Sequence, residues 1–448
     1  MFDKLIAGRV VTPTGILENG WIAVSGEAIG AVGSGDRPAA AETVDYGDAY
    51  ILPGAVDGQT HAGSQIGFPG LLPTTKAAVI GGVTTIVDMP YDEPDPIVTG
   101  DLLKAKIDAI HAHAVADVAL YGTVPTAPVA TDVAALIAGG VCAFKISSFE
   151  AHPHRFPRID SAATRSLIEL LADSGLPLGL HNEDQEIVRA LAKQFKAEGR
   201  TGPADHSPSR PEVAELSATA TFLSLGAGQP TPLHIVHIST PDGFDLVRRA
   251  HESGAPATGE MCVHYLHFDA DEAMPRLGGL LKVNPPIRSG RREALWQVIE
   301  RGDCAFISSD HSAWPLDRKT NPSIFDVAAG MPGLENLLPV FFTDAAARYG
   351  ADRAAAMSAD WLSDRPSRFF GLSRKGRLFP GMDADLAVLQ PGKSVFDANT
   401  NSDGPGWSAY DGETMAATPV ATYVRGRLAW DGATVTAAPG TGRFIPRG

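Results

Sequence analysis

Between residues 53 and 372, short apolar runs alternate with amphipathic helical stretches, and this alternation constrains the fold more than any other feature of the chain. Strand-length apolar runs followed by helix-length amphipathic stretches are the pattern of a parallel sheet. The predicted strands lie at 55–57, 84–89, 118–121, 143–146, 177–181 and 234–237, with a weaker one near 257–261 and a last one at 305–310. Eight such units are the count of a closed (β/α)8 barrel, an α/β fold whose chemistry sits at the C-terminal ends of its strands. At 448 residues the chain has room for a second unit. Short runs such as Leu5-Ile6-Ala7 and Trp21-Ile22-Ala23-Val24 near one end, and 384–389 and 422–428 near the other, read as further strands. Chain ends often lie close together. Residues 1–52 with 373–448 are therefore expected to form one small β-sandwich domain around a barrel spanning 53–372.

The predicted strand ends carry the chemistry. The first runs into Asp57-Gly58-Gln59-Thr60-His61. Side chains alternate along a strand, so Asp57, Gln59 and His61 share one face and suggest the rim of a site. Lys145 ends the apolar run 142–145, and a lysine is rarely buried without a partner or a chemical task. His181 ends a run that continues into Asn182-Glu183-Asp184. His234 and His237 point to opposite faces of one strand, and His237 is taken as the one facing the axis. Asp310 closes the run 306–310. Each residue alone has a plain structural explanation: a bonded core histidine, a snorkelling lysine, a helix N-cap. Five of them at five strand ends argue for a site, and imidazole with carboxylate suits zinc and related divalent ions. His111-Ala112-His113 is a decoy, because side chains two apart on a helix diverge. His152, His154, His206, His251 and His267 carry no expected role.

Composition narrows the partners. A net charge of −15 argues against nucleic acid. Three cysteines without a C-x-x-C pair fit a reducing compartment, and no stretch is long and apolar enough to span a bilayer. With no signal-peptide pattern at residues 1–11, the expected location is the cytoplasm.

The order of motifs resembles the cyclic amidohydrolases: hydantoinase, dihydropyrimidinase, allantoinase and dihydroorotase. The run from Pro53 to His61 is similar to their first-strand motif, and that from Gly81 to Pro90 to their second. Arg210-Pro211-Glu212, Asn284-Pro285-Pro286-Ile287-Arg288, Gly333-Leu334-Glu335 and Pro380-Gly381-Met382-Asp383-Ala384-Asp385 add to the match. The resemblance implies a hydrolase of cyclic amides, ureides or imides that works with one or two divalent metals, zinc by expectation. It implies a carbamate on Lys145 bridging the metals, His181 and His237 at the second metal, His61 and Asp310 at the first, and Asp310 as general base. It implies a small-molecule substrate and a homodimer or homotetramer. The chain departs from the family at Gln59, where the first-strand motif has a histidine. Gln59 as a ligand, a single remaining metal, and a metal-poor barrel kept as a binding scaffold all stay open. No arginine follows His61, which argues against dihydroorotate. The segment after Lys145 lacks the tyrosine that hydantoinases use there, so Arg155, Arg158 or His264 is a candidate to take its place, and Asn284 is a further candidate to contact substrate. The mostly apolar segment 65–72 is expected on the pocket wall, which favours a ring less polar than allantoin.

Overall fold

The computed structural model describes every residue except Asn401 and Asp403. Four strands open the chain: β1 (Phe2–Thr12), β2 (Gly15–Ser25), β3 (Ala28–Ser34) and β4 (Ala40–Pro53). A central series follows: β5 (Ala55–Thr60), β6 (Val83–Asp88), β7 (Asp117–Gly122), β8 (Ala143–Ser147), β9 (Leu178–His181), β10 (Leu233–Ile235), β11 (Ala257–Gly259), β12 (Met261–Cys262) and β13 (Ile307–Ser308). Three strands close it: β14 (Leu386–Val395), β15 (Thr414–Val424) and β16 (Arg427–Trp430).

β5 to β11 form one sheet in sequence order, and every neighbouring pair is parallel. Helices such as Leu71–Ile80, Gly100–His113 and Glu212–Leu225 lie between its strands. All residues of β5 to β10 are buried, because helices cover one face of the sheet and its own curvature encloses the other. Hence the strands read as unbroken apolar runs and not as alternating ones. β12 pairs parallel with β13. Two links tie this pair back to the larger sheet: Ala305 N donates to Gly259 O at 2.8 Å, and Thr60 bridges His311 in parallel. The Phe306 ring fits against β5 because Gly58 has no side chain; a Cβ there would lie 2.4 Å from the ring.

The strands from both chain ends share a second seven-stranded sheet, in the order β16-β15-β14-β4-β1-β2-β3. Its apolar residues include Ile6, Ile22, Leu386 and Tyr423 and make a core of their own. β4 hands the chain to β5 at Gly54, whose N–H donates to Asp385 O at 2.9 Å. The predicted strands thus correspond to observed ones, but the last, predicted over 305–310, is reduced to Ile307–Ser308, the run 422–428 is broken between Val424 and Arg427, and two more differ. The sixth predicted strand stops at Ile235, because His237 takes a positive φ of 41°. The weak seventh is split into β11 and β12 at Glu260. Among the described residues no helix is long and apolar enough to cross a membrane.

Candidate active site

A cavity of about 380 Å³ opens beyond the C-terminal ends of the parallel strands, and His61, Lys145, His181, His237 and Asp310 all line it. Each comes from a different strand end, so the sheet curvature is what brings them together. His61 and Asp310 form one pair, Nε2 to Oδ1 at 3.4 Å. His181 and His237 form the other, Nδ1 to Nε2 at 2.9 Å. Lys145 is 1% exposed.

The backbone is strained where it delivers two of these groups. His237 and Asp310 both take positive φ, 41° and 49°, a conformation that costs a non-glycine residue about 1–3 kcal/mol. Asp57 holds the second. Its carboxylate accepts from Ser309 N at 2.8 Å and from the hydroxyls of Ser309 and Thr60 at 2.6 Å. Glu260 holds the first, accepting from His237 N at 2.6 Å and from Ser308 Oγ at 2.7 Å. Sequence reasoning grouped Asp57 with the rim and did not single out Glu260. Both are fully buried carboxylates below the cavity floor, and burial pushes Asp57 up to about 6 and Glu260 up to about 7.

Electrostatics favour neutral nitrogen donors. Burial holds His181 and His237 below the ordinary imidazole value. His181 Nε2 lies 3.0 Å from Glu183, a carboxylate that Arg210 also pairs with. Burial opposes the charge of Glu183, but these partners keep it ionised. Nε2 is then the donor, and the Nδ1 lone pair of His181 faces His237. Two neutral nitrogens in contact, one of them a fixed lone pair, form a donor pair that suits a cation. Burial brings Lys145 down to about 8 against the carboxylates of Asp310 and Glu260. Burial also works against Asp310, but the imidazole of His61 and the charge on Lys145 outweigh it and hold its carboxyl below the usual range. The residues present therefore fit a divalent ion: imidazoles, a carboxylate, and a lysine close to losing its proton.

The other predicted positions divide. Asn284 lines the cavity, and its Oδ1 is buried without a partner. Arg155 lines it too, held against the wall by Ser64 O at 2.7 Å and Glu93 at 2.9 Å. His264 is buried with its ring edge-on to Tyr265 and lies outside the lining. His152, given no role by sequence, lines the cavity, as do Tyr91, Phe149, Phe156 and Trp314. The decoy histidines His111 and His113 are exposed. Of the segment 65–72 only Gln65 reaches the lining; Ile66 is exposed and Leu71 buried in the core. The apolar-wall argument against a polar ring therefore fails.

The flanking motifs turn out to be braces. Arg288 donates to Ser239 Oγ at 3.0 Å and pairs with Glu215 at 3.2 Å, and Glu215 accepts from Ser239 N at 2.8 Å. They fix the turn just after His237. Gly333 N donates to His311 Nδ1 at 3.1 Å, bracing the residue after Asp310.

Residues 50–429 match the model of the amidohydrolase family. The chain belongs to the amidohydrolase family. Among curated amidohydrolase relatives, the allantoinase of Rubrobacter xylanophilus is 33% identical over 448 residues, covering 99% of this chain and 97% of that one. The allantoinase of Deinococcus radiodurans is 30% identical, covering 99% and 98%. Among solved structures, the L-hydantoinase (dihydropyrimidinase) of Arthrobacter aurescens superposes with a TM-score of 0.93 at 28% identity, over 100% of both chains.

Proposed function

We propose that this amidohydrolase opens a cyclic amide, ureide or imide by hydrolysing a ring C–N bond, with a divalent metal as cofactor. One observation carries the reading: five metal-competent side chains from five strand ends converge on one cavity. The allantoinase and hydantoinase relatives support the same chemistry. The intact donor set gives no support to a metal-poor scaffold.

Zinc is the proposed metal, since imidazole and carboxylate oxygen are its usual ligands. Lys145, His181 and His237 would hold it, with His61 and Asp310 beside them. A bound ion of this kind lowers the pKa of a water toward neutrality and polarises a carbonyl oxygen. Asp310 accepts the proton of the attacking water and returns it to the departing ring nitrogen, so one carboxylate serves as base and then as acid. Lys145 must shed its positive charge to ligate. Carbon dioxide adding to the neutral amine, with one proton released, gives an anionic carbamate, and the depressed pKa of Lys145 supplies that neutral amine. Asn284 and Arg155 are proposed to position substrate, Asn284 through its unpartnered Oδ1 accepting a ring N–H; His264, buried outside the lining, is not.

The architecture is proposed to be a (β/α)8 barrel over residues 53–372. The Thr60–His311 bridge and the β12–β13 pair support its closure. Residues 1–52 and 373–448 would form a β sandwich. A Cβ on Gly426, in the turn between β15 and β16, would lie 2.8 Å from Val24 on β2, although three strands separate β15 from β2 in the sheet order, so that sheet folds back on itself. Cytoplasmic location and a homodimer or homotetramer complete the proposal, with no nucleic-acid or membrane partner. The three cysteines are free, as a reducing compartment would leave them.

The test is ring opening of allantoin, hydantoin, dihydrouracil and succinimide by protein supplied with zinc and bicarbonate, before and after chelation. Opening of at least one ring, lost on chelation and restored by zinc, is expected. No opening of any ring, or opening indifferent to chelator, contradicts the proposal.

A further inference from the structure

We propose that Gln59 positions Lys145 and is not a metal ligand, so that each chain holds one ion tightly, on Lys145, His181 and His237. The inference rests on the hydrolase reading above. Gln59 is fully buried and, unlike the five donors, does not line the cavity. Its Nε2 donates to Glu260 Oε1. Glu260 cannot turn away, because His237 N and Ser308 Oγ fix both of its oxygens. That Oε1 already accepts the backbone N–H of His237, so the amide presents its nitrogen there. The remaining atom, Oε1, is the one atom of Gln59 able to ligate, and it accepts from Lys145 Nζ at 3.5 Å. Reversing the amide would set its oxygen against the Glu260 carboxylate.

This bond survives carbamylation. When carbon dioxide forms the new N–C bond and one proton leaves, Nζ keeps one N–H. That N–H can still donate to Gln59, and the new carboxylate is then directed away from Gln59 toward the cavity. His181 Nδ1 and His237 Nε2 converge there at 2.9 Å. With Lys145 they make three protein donors, the number a catalytic zinc takes. Around His61 and Asp310 only two donors remain besides the shared Lys145, and the side chain that could complete the set is tied to Glu260. That position therefore holds its ion weakly.

The experiment measures zinc per chain and the carbamate ¹³C signal in the full-length protein. Wild type, Gln59→His and Gln59→Leu are each purified with zinc and ¹³C-bicarbonate and dialysed free of excess metal. Wild type is expected to retain one zinc with the carbamate signal present, and Gln59→His to retain two. Gln59→Leu is expected to bind its single zinc about tenfold to a hundredfold more weakly, the usual effect of losing an outer-sphere partner, with a diminished carbamate signal. Two zincs in wild type falling to one in Gln59→Leu would make Gln59 a ligand and overturn the inference while leaving the hydrolase reading intact. Unchanged affinity and carbamate signal in Gln59→Leu would overturn the positioning role. No zinc in any form would overturn both readings. If Gln59→Leu does not fold, the counts in wild type and Gln59→His still decide.

Discussion

A lysine that is 1% exposed must find compensation for its charge or lose it. Lys145 has a long contact to the Gln59 oxygen at 3.5 Å, and burial already draws its pKa down to about 8. On the proposed reading it is the donor on which metal binding turns. Lys145→Ala is expected to weaken zinc binding by more than about a hundredfold, beyond what loss of an outer-sphere partner costs. Metal content after dialysis checks this, and a count equal to wild type would remove Lys145 from the metal set. The two residues beneath the site, Asp57 and Glu260, bond the backbone N–H groups of Ser309, next to the cavity-lining Asp310, and of His237, which lines the cavity itself.

At the scale of elements, the strands were legible because both faces of the parallel sheet are buried, which leaves unbroken apolar runs. The lining of the cavity was legible to the same extent, since His61, Lys145, His181, His237 and Asp310 each lie at or near the end of such a run. The pairs that position those side chains were not. Gln59 and Glu260 are 201 residues apart, and no periodicity within a run can join them. Asp57 misled for a related reason: its place in a polar alternation is real, but its partner Ser309 is 252 residues away. The 65–72 segment was misjudged because it leaves the rim after Gln65 and turns into the helix Leu71–Ile80. His206, which starts the short helix His206–Ser209, belongs to the same class of long-range brace. Its Nε2–H donates to Val283 O at 2.8 Å, one residue before Asn284. Burial holds its pKa well below 6.5, so it folds neutral. Its contribution is complete above the unfolded pKa of about 6.5 and is lost as pH falls toward the folded value. His206→Gln does not titrate. Denaturant titrations from pH 7 to 5 should show wild type losing stability relative to this variant, by up to about 1.4 kcal/mol per pH unit below 6.5. A difference that stays constant with pH would contradict a neutral His206.

At the scale of the molecule, a buried ionic cluster fastens the two sheets together. Lys375 Nζ lies 2.6 Å from Asp117 at the start of β7, 2.9 Å from Asp383 and 2.7 Å from Asp385, the last two just ahead of β14. Arg425, after β15, pairs with the same Asp117. The three carboxylates are close enough together to suit a metal, but the ammonium occupies their centre. Burial disfavours its charge, and the three carboxylates more than restore it. Lys375→Met should cost about 3–5 kcal/mol, the usual penalty for leaving one side of a buried pair uncompensated. Added zinc should not recover it, and equilibrium unfolding with and without zinc reads both. The fastening lies at the N-terminal start of β7, at the other end of the strand from the cavity. The most direct measurement on that cavity is the turnover of Asp310→Asn against wild type, on whichever ring the wild type opens, at matched metal content. A fall of at least about a hundredfold with metal retained is predicted, the ordinary contribution of a positioned acid–base group. Turnover within a few-fold of wild type would contradict the assignment of Asp310 as the group that moves the proton.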